Sequence, residues 1–177
     1  MKTENVIKGV KRTLTPSFVV TLYYLYKYGA KVSPRAEVDV SSNLKFGKDC
    51  VVSSFTKIKA NDGPLEMGDR SGIANCCFIA SGEGGISIGK NFICGPNVNI
   101  VAVNYSYAQK DVHLEDVEKT SKGIKIGDNV WIGSGCTITD GAEIGDNTIV
   151  VANSLVNRRY KNDVMLQGSP AKVILKR

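Results

Sequence analysis

The sequence IGDNVWIGSGCTITDGAEIGDNTIVVANSLV runs from residue 126 to residue 156 and carries an aliphatic side chain at every sixth position. These positions are Ile126, Ile132, Ile138, Ile144, Val150 and Val156. A period of six fits neither the repeat of about 3.6 residues of an amphipathic helix nor a simple alternating strand. It is typical of a parallel β-helix, in which each hexapeptide forms one side of a coil. We therefore predict an all-β solenoid.

The same spacing continues on the N-terminal side of this stretch. Apolar residues recur at six-residue intervals in three further groups: Phe46, Val52 and Ile58; Met67, Ile73 and Ile79; Ile88, Cys94 and Ile100. Gly127 and Gly145 stand 18 residues apart, which corresponds to one turn of three hexapeptides. The glycines farther upstream stand 21 residues apart: Gly47, Gly68 and Gly89. Each of those turns holds three extra residues, which we assign to the loop-like sequences ANDGP (60–64) and SGEGG (81–85).

One long interruption of the repeat covers about residues 101–125, which are polar and mixed in charge. A long loop that projects from a rigid scaffold commonly carries function, and a role as a clasp between subunits is compatible with that. Both ends of a solenoid need caps. We expect a helical capping segment at residues 1–30, a β-helix domain at 31–157 that includes the loop, and a C-terminal cap at 158–177.

Composition limits the classes of function. The chain has 177 residues, 42% of them hydrophobic and 23% charged, which is the balance of a globular protein. The net charge is +6, but the repeat shows no face of stacking aromatics, so we expect no nucleic-acid partner. With one histidine, His113, and no CxxC spacing among the five cysteines, we expect no metal site. Free cysteines favour the cytoplasm.

The most apolar segment is SFVVTLYYLYKY, residues 17–28, which is shorter than the roughly 18 apolar residues of a spanning helix. Tyrosine beside lysine suits a membrane interface. The N-terminal segment is therefore expected to pack on the next domain or subunit, and peripheral contact with the inner face of the membrane stays open.

The repeat of residues 126–156, followed by GSPAKVI at 168–174, resembles the hexapeptide-repeat acyltransferases over about residues 44–177. The most similar branch is the sugar O-acetyltransferases, which include galactoside and maltose acetyltransferases and enzymes that decorate bacterial polysaccharides. The resemblance implies a left-handed parallel β-helix, acetyl-coenzyme A as the donor, and a homotrimer with active sites between subunits. It implies acetyl transfer to a hydroxyl, or an amine, of a sugar or polysaccharide precursor.

The resemblance also assigns residues to the donor. Ser134 matches a position that contacts the pantetheine arm, and Ala152 matches one that offers its backbone to the same arm. Trp131 lies at the mouth of that groove. An extended pantetheine needs backbone donors along an edge of the coil, which these small residues allow.

The phosphate end of the donor is assigned by the same resemblance. Asn157 and Arg158 match a pair near the adenine and the phosphates, where the family often has threonine and lysine. Lys172 matches a basic residue near the nucleotide phosphates, and Lys176 is expected to assist. Cationic side chains are the usual partners of phosphate oxygens.

On the acceptor side, Asn75 matches an asparagine that touches the sugar, and Glu83 falls where the family places an acidic residue. The general base of the family is a histidine of the projecting loop, and its position is occupied here by Tyr105, next to Asn104. A phenol, with a pKa near 10 in solution, is a poor base at neutral pH.

Three explanations for Tyr105 stay open. His113, later in the same loop, could supply the base; the chain could have lost catalysis and kept binding or assembly; or Tyr105 could be an introduced substitution. An acyl-cysteine route through Cys76 or Cys77 is conceivable, although cysteine also fills core positions well. The sequence thus predicts an acetyl-coenzyme A dependent acetyltransferase, with a non-catalytic member of the family as the alternative.

Overall fold

The computed structural model describes residues 15–106, 112–113 and 116–176. Among these residues there are twenty-two strands and one helix, so the expectation of a chain built mostly from strands is confirmed. Most strands contain only two or three residues, as a chain that turns every sixth residue requires.

Twenty of the strands form three sheets. The first sheet contains β1 (Lys31–Val32), β4 (Val51–Val52), β7 (Gly72–Ile73), β10 (Ile93–Cys94), β15 (Trp131–Ile132), β18 (Ile149–Val150), β21 (Val164–Gly168) and β22 (Ala171–Lys176). The second contains β2 (Glu37–Val38), β5 (Lys57–Lys59), β8 (Phe78–Ala80), β11 (Asn99–Val101), β16 (Thr137–Thr139) and β19 (Leu155–Val156). The third contains β3 (Leu44–Phe46), β6 (Leu65–Met67), β9 (Ile86–Ile88), β14 (Ile124–Ile126), β17 (Glu143–Ile144) and β20 (Arg159–Tyr160).

Consecutive strands enter the three sheets in rotation, so that β1, β2 and β3 make one turn and β4, β5 and β6 the next. Pairing within the sheets is parallel, except for the antiparallel pair β21–β22 at the C-terminal end. The chain therefore winds as a three-sided parallel coil. Between β11 and β14 it leaves the coil to form a separate antiparallel hairpin of β12 (Asn104–Tyr105) and β13 (Lys119–Thr120).

The core is built from the side chains that recur every sixth residue. Ile100 pairs in register with Ile79 on one side and Ile138 on the other, and all three are fully buried. Burying one such side chain stabilises a fold by about 1.5–3 kcal/mol. Because the same side chain repeats on each turn, the rows stack without gaps in register, and the aliphatic period read from the sequence is the period of the core.

The corners between sheets are held by polar side chains in the left-handed backbone region. Asn129 and Asn147 occupy successive turns with φ near 56° and 55°. The Asn129 side-chain amide donates to Asn147 Oδ1 at 3.2 Å, and Asn91 donates to Asn129 Oδ1 at 3.0 Å. Asparagine tolerates this conformation better than most residues, and the ladder couples each turn to the next.

The helix α1 (Ser17–Tyr28) covers the N-terminal end of the coil, with Val20 and Tyr24 buried. The Tyr24 hydroxyl donates to the backbone carbonyl of Asp39 at 2.5 Å, and its ring lies edge-on to Phe46 with centroids 5.1 Å apart. No helix in the described part of the chain is long and apolar enough to cross a bilayer.

Candidate active site

One column of candidate residues runs along the first corner, which we define as the edge between the first and second sheets. The amide of Asn97 donates to the carbonyl of Asn75 at 3.1 Å, and that of Gly135 donates to the carbonyl of Pro96 at 3.0 Å. The amide of Asn153 in turn donates to the carbonyl of Ser134 at 2.9 Å. These bonds stack Asn75, Pro96, Ser134 and Ala152 on successive turns, about 4.8 Å apart.

All three predicted residues of this column are exposed: Asn75, Ser134 and Ala152. Trp131 lies on β15, three residues before Ser134 on the same turn, with just over half of its surface exposed. It pairs in register with Ile93 below and Ile149 above, so an indole face sits in a partly apolar strip beside the column. The structure therefore brings four of the predicted residues to one side of the coil.

The upper end of the column is basic. Gly168 follows Ala152 in the stack, because Val150 pairs with Leu166, and β22 folds back at this point. Lys172 pairs with Gln167 at the start of β22 and is exposed. A line from Asn75 to Ala152 thus leads to a lysine.

Arg158 also belongs to this end of the coil. Its Nη2 donates to the Ala171 carbonyl at 3.0 Å, and the hydroxyl of Tyr160 donates to the same oxygen at 2.6 Å. The Arg158 Nε contacts the Tyr160 hydroxyl at 3.0 Å, and the guanidinium lies 5.6 Å from the centre of that ring. Arg158 is therefore held one residue away from Lys172.

The two other predicted donor residues lie apart from this cluster. Asn157 follows β19 at the opposite edge of the second sheet, which we define as the second corner, between the second and third sheets. Lys176 ends β22 and pairs with Val164, at the far end of the strand from Lys172. Both side chains are exposed.

The second corner also carries Glu83 and the base of the projecting loop. The Ser121 hydroxyl donates to the Ala102 carbonyl at 2.6 Å and accepts from the Gly84 amide at 3.0 Å. Glu83 precedes Gly84 and is exposed. One serine therefore ties the turn that holds Glu83 to both strands of the loop where they leave the coil.

Asn104 and Tyr105 form one strand of the loop hairpin, where they pair with Thr120 and Lys119. Tyr105 has about half of its surface exposed. His113 is exposed as well, and its backbone carbonyl accepts the amide of Asp116 at 2.8 Å. The hairpin thus presents Tyr105 to solvent on the side of the second corner, and the residues that separate it from His113 include 107–111, which are outside the described part.

The predicted residues fall into two groups on opposite edges of the second sheet. Asn75, Ser134, Ala152 and Lys172 lie along the first corner, whereas Glu83, Asn104, Tyr105 and Asn157 lie along the second. The three-residue strands of the second sheet separate the two edges within one chain.

Two clefts adjoin these groups. One, of about 340 Å³, lies beside Asn75 on the first sheet, between β1 and β4. The other, of about 370 Å³, lies on the third sheet beside the second corner and is lined by Lys122, Lys125 and Glu143 among others. Sequence analysis did not identify the second cleft, because none of its lining residues stands out in the repeat.

The cysteines divide by burial. Cys77 and Cys94 face each other inside the coil with sulfur atoms 3.9 Å apart, and each is about 2% exposed. The hydrogen bond from Cys94 lowers the pKa of the Cys77 thiol, while that contact and burial raise the pKa of Cys94. Buried thiols cannot meet a substrate at the surface, which leaves Cys76 as the exposed cysteine. Among the described residues no group of three or more ligating side chains could hold a metal.

Sequence reasoning missed two residues that organise the site. Tyr160 fixes Arg158 through a hydrogen bond and a ring contact, and Ser121 anchors the projecting loop. Tyr160 occupies the sixth-residue position after Ser154, but its polar tip gave no hint of the Ala171 carbonyl.

Comparison with known proteins agrees with this arrangement. Residues 123–158 match the family model described as bacterial transferase hexapeptide (six repeats). Galactoside O-acetyltransferase from Escherichia coli (strain K12) is 37% identical over 92 residues, which cover 50% of this chain and 43% of that protein. The chain spans about half the length of the first curated relatives that it matches.

Solved structures share the fold. A maltose O-acetyltransferase from Clostridium difficile 630 has a TM-score of 0.58 and 26% identity, over 83% of this chain and 67% of that one. AntD, an N-acyltransferase from Bacillus cereus solved with dTDP and coenzyme A, has a TM-score of 0.75 and 18% identity, over 84% of this chain and 81% of AntD. At that identity the likeness to AntD shows the fold alone.

Proposed function

Because the chain belongs to the hexapeptide-repeat acyltransferase family, we propose that it transfers an acetyl group from acetyl-coenzyme A to a sugar or a polysaccharide precursor. The family resemblance read from the sequence is confirmed by the match at residues 123–158 and by the sugar acetyltransferase relatives. The acceptor group is a hydroxyl, or alternatively an amine. The reaction belongs to the cytoplasm, where coenzyme A is available.

The observation that carries this proposal is the column along the first corner. Small, exposed residues at Ser134 and Ala152 leave the edge of the coil open to an extended ligand, and Trp131 offers an apolar surface beside them. Lys172 and Arg158 stand at the upper end. An arm of amides and methylenes that ends in phosphates requires such a sequence of surfaces, so pantetheine lies along the column and its phosphates meet the two cations.

The acceptor and the proton-transfer group lie on the opposite corner, which favours a shared site. In our proposal the coil is a left-handed β-helix and three copies pack with the first corner of one chain against the second corner of the next. Asn75 of one subunit then faces Glu83, Asn104 and Tyr105 of a neighbour. This arrangement follows closed cyclic symmetry, in which one heterologous contact repeats around the axis.

The domain limits expected from the sequence enter the same proposal. Residues 1–30 cap the coil, residues 31–157 form the β-helix with its loop, and residues 158–177 close the other end. The C-terminal cap also contributes the cations near the phosphates, because Arg158 and Lys172 both belong to it.

The chemistry requires one proton transfer. The acceptor oxygen attacks the thioester carbonyl while a base takes its proton, and the thiol of coenzyme A leaves with a proton. Asn75 and Glu83 orient the sugar through hydrogen bonds to its hydroxyls. Amides that point outward at the corner, or the side chain of Asn104, stabilise the negative charge that develops on the carbonyl oxygen.

The base is the step on which the account depends. Tyr105 is exposed on the hairpin at the second corner and occupies the position of the family's histidine. Tyr105 would need activation by its neighbours in the assembled site, since a free phenol is a weak base at neutral pH. His113, exposed in the same loop, is the second candidate.

A thioester-consumption assay with acetyl-coenzyme A and a panel of sugars tests the proposal. We expect the natural chain to turn over, with rates about 100-fold lower or less in the variant that removes the base. The variants are Tyr105→Phe, Tyr105→His and His113→Ala. Loss in Tyr105→Phe assigns the base to Tyr105, and loss in His113→Ala assigns it to His113.

A second candidate function rests on Tyr105 itself. If the chain lacks a competent base, it is a binding or assembly member of the family. Turnover in Tyr105→His but not in the natural chain would establish that candidate. If no variant turns over and none binds acetyl-coenzyme A, the proposed transferase function is wrong.

A further inference from the structure

The helix α1 has two apolar faces, of which only one is covered by the coil. Val20 and Tyr24 point into the core, and Tyr28 packs partly against it. On the opposite side an uninterrupted set of apolar residues is exposed: Phe18, Val19, Leu22, Leu25 and Tyr26. At about 100° per residue these five side chains span an arc of roughly 120°, which is a continuous face.

The exposure of this face is large. Leu22 has 57% of its surface exposed, and Tyr26 has 96%. Monomeric proteins rarely leave a contiguous apolar patch of this kind without a partner, whereas single exposed apolar residues are common. The inner face alone would suffice to cap the coil, so the outer face requires a separate explanation.

Positive charge borders the outer face. Lys27 is exposed at the end of the helix, where its amine donates to the Tyr23 hydroxyl at 2.8 Å and lies 5.0 Å from the centre of the Tyr28 ring. Lys31 follows on β1 and is exposed. In the sequence the segment before the helix holds four more cations, at Lys2, Lys8, Lys11 and Arg12, against one acidic residue, Glu4.

We propose that the outer face of α1 is a docking surface for an anionic lipid bilayer. A helix that lies in the membrane interface places apolar side chains among the acyl chains and basic residues near the headgroups, and Tyr26 suits the boundary between them. Negative lipids attract basic segments that adjoin such a helix. The combination of an apolar face with basic flanks therefore matches the chemistry of this partner.

A second copy of the chain is the other occupant that an apolar face could take. Pairing two copies through this face would bring Lys27 and the basic N-terminal segments of both chains together. Like charges at an interface oppose association, whereas an anionic surface complements them. The charge distribution therefore favours the bilayer over self-association.

Assembly would strengthen the attachment. In the proposed trimer, rotation about one axis parallel to the coils places all three α1 helices at the same end. Three weak contacts with one surface give far greater avidity than a single helix. This step rests on the proposed trimer, but binding by α1 itself does not depend on acetyl transfer.

Cosedimentation of the full chain with vesicles tests the proposal. We expect binding to equimolar phosphatidylcholine and phosphatidylglycerol, weak binding to phosphatidylcholine alone, and release by salt, because the electrostatic part is screened. The double variant Leu22→Glu/Tyr26→Glu should lose about tenfold or more in affinity for the anionic vesicles. Both side chains are exposed, so the substitutions remove no core packing.

The matched control is Ile174→Glu, which places an acidic residue at an exposed apolar position on β22, at the other end of the coil. It should bind vesicles like the natural chain. The proposal is overturned if the natural chain stays in the supernatant, or if the double variant binds as well as the control. It is also overturned if the double variant reduces the mass measured by light scattering, since a second copy would then occupy the face. Acetyl-coenzyme A binding by the double variant should be unchanged, which separates this result from failure of the proposed transferase function.

Discussion

The packing at the first corner makes Gly133→Ala an informative substitution. A Cβ added at Gly133 would lie 2.5 Å from the backbone nitrogen of Ala152 and 2.8 Å from its Cα. Both neighbours are backbone atoms, so the clash cannot be relieved by turning a side chain. The next turn of the coil must shift, and overpacking of this kind costs about 1–3 kcal/mol.

Gly72 provides the matched control, because it lies on the same sheet two turns earlier and a Cβ there meets nothing within 4 Å. Gly72→Ala should be neutral or should stabilise the chain by up to about 1 kcal/mol, since alanine restricts the unfolded state. Urea unfolding of both variants measures the difference in the free energy of unfolding. Equal stability of Gly133→Ala and Gly72→Ala would refute the close approach of turns that we describe.

The same variant tests the donor column. A displacement at Ala152 separates it from Ser134, and a loss of about 1.4 kcal/mol in donor binding corresponds to a tenfold weaker Kd. Calorimetric titration with coenzyme A should therefore show about tenfold weaker binding for Gly133→Ala and unchanged binding for Gly72→Ala. If Gly133→Ala is less stable but binds coenzyme A normally, the donor does not follow this corner.

Three further predictions concern particular side chains. Asn129→Ala should lower the free energy of unfolding by about 1–2 kcal/mol, because it removes ladder hydrogen bonds and places a Cβ residue at φ 56° without a polar tip; Asn129→Gly should cost less, and equal losses in urea would contradict this reasoning. Burial raises the pKa of Tyr24, so the folded state holds the phenol proton more tightly than the unfolded state. Stability should therefore fall as pH rises above about 10, by at most about 1.4 kcal/mol per pH unit for this group, and Tyr24→Phe should show a shallower alkaline decline in urea titrations. One thiol should react rapidly with a thiol reagent in the native chain and be absent in Cys76→Ser, since the other four cysteines are buried; two or more fast thiols would contradict the packing.

The aliphatic period carried most of the information about the fold. Ile100 and Ile138 are 38 residues apart in sequence, yet both could be assigned to the core from the six-residue spacing, and they pair in register. The prediction survives the long loop between them because the repeat resumes at the same side of the coil. Turn residues such as Asn129 were equally readable, since their side chains tolerate the left-handed backbone region that each corner needs.

The grouping of the candidate residues could not be read in the same way. Assigning Asn75 and Ser134 to one corner requires knowing that the insertions at 60–64 and 81–85 bulge outward without displacing the strands. The contact between Arg158 and the Ala171 carbonyl depends on the β21–β22 hairpin, which breaks the repeat and has no periodic signal. Three-dimensional closure, rather than local pattern, determines both features.

Titration of acetyl-coenzyme A into the full chain tests the central claim most directly, because it does not depend on which residue is the base. The account predicts one donor bound per chain and at least about tenfold weaker binding in Ser134→Trp, whose indole would fill the exposed column. Ser42→Trp, at an exposed turn of the first coil, is the matched control and should bind like the natural chain. Absence of binding, or equal binding by Ser134→Trp and the natural chain, would contradict a donor site along the first corner.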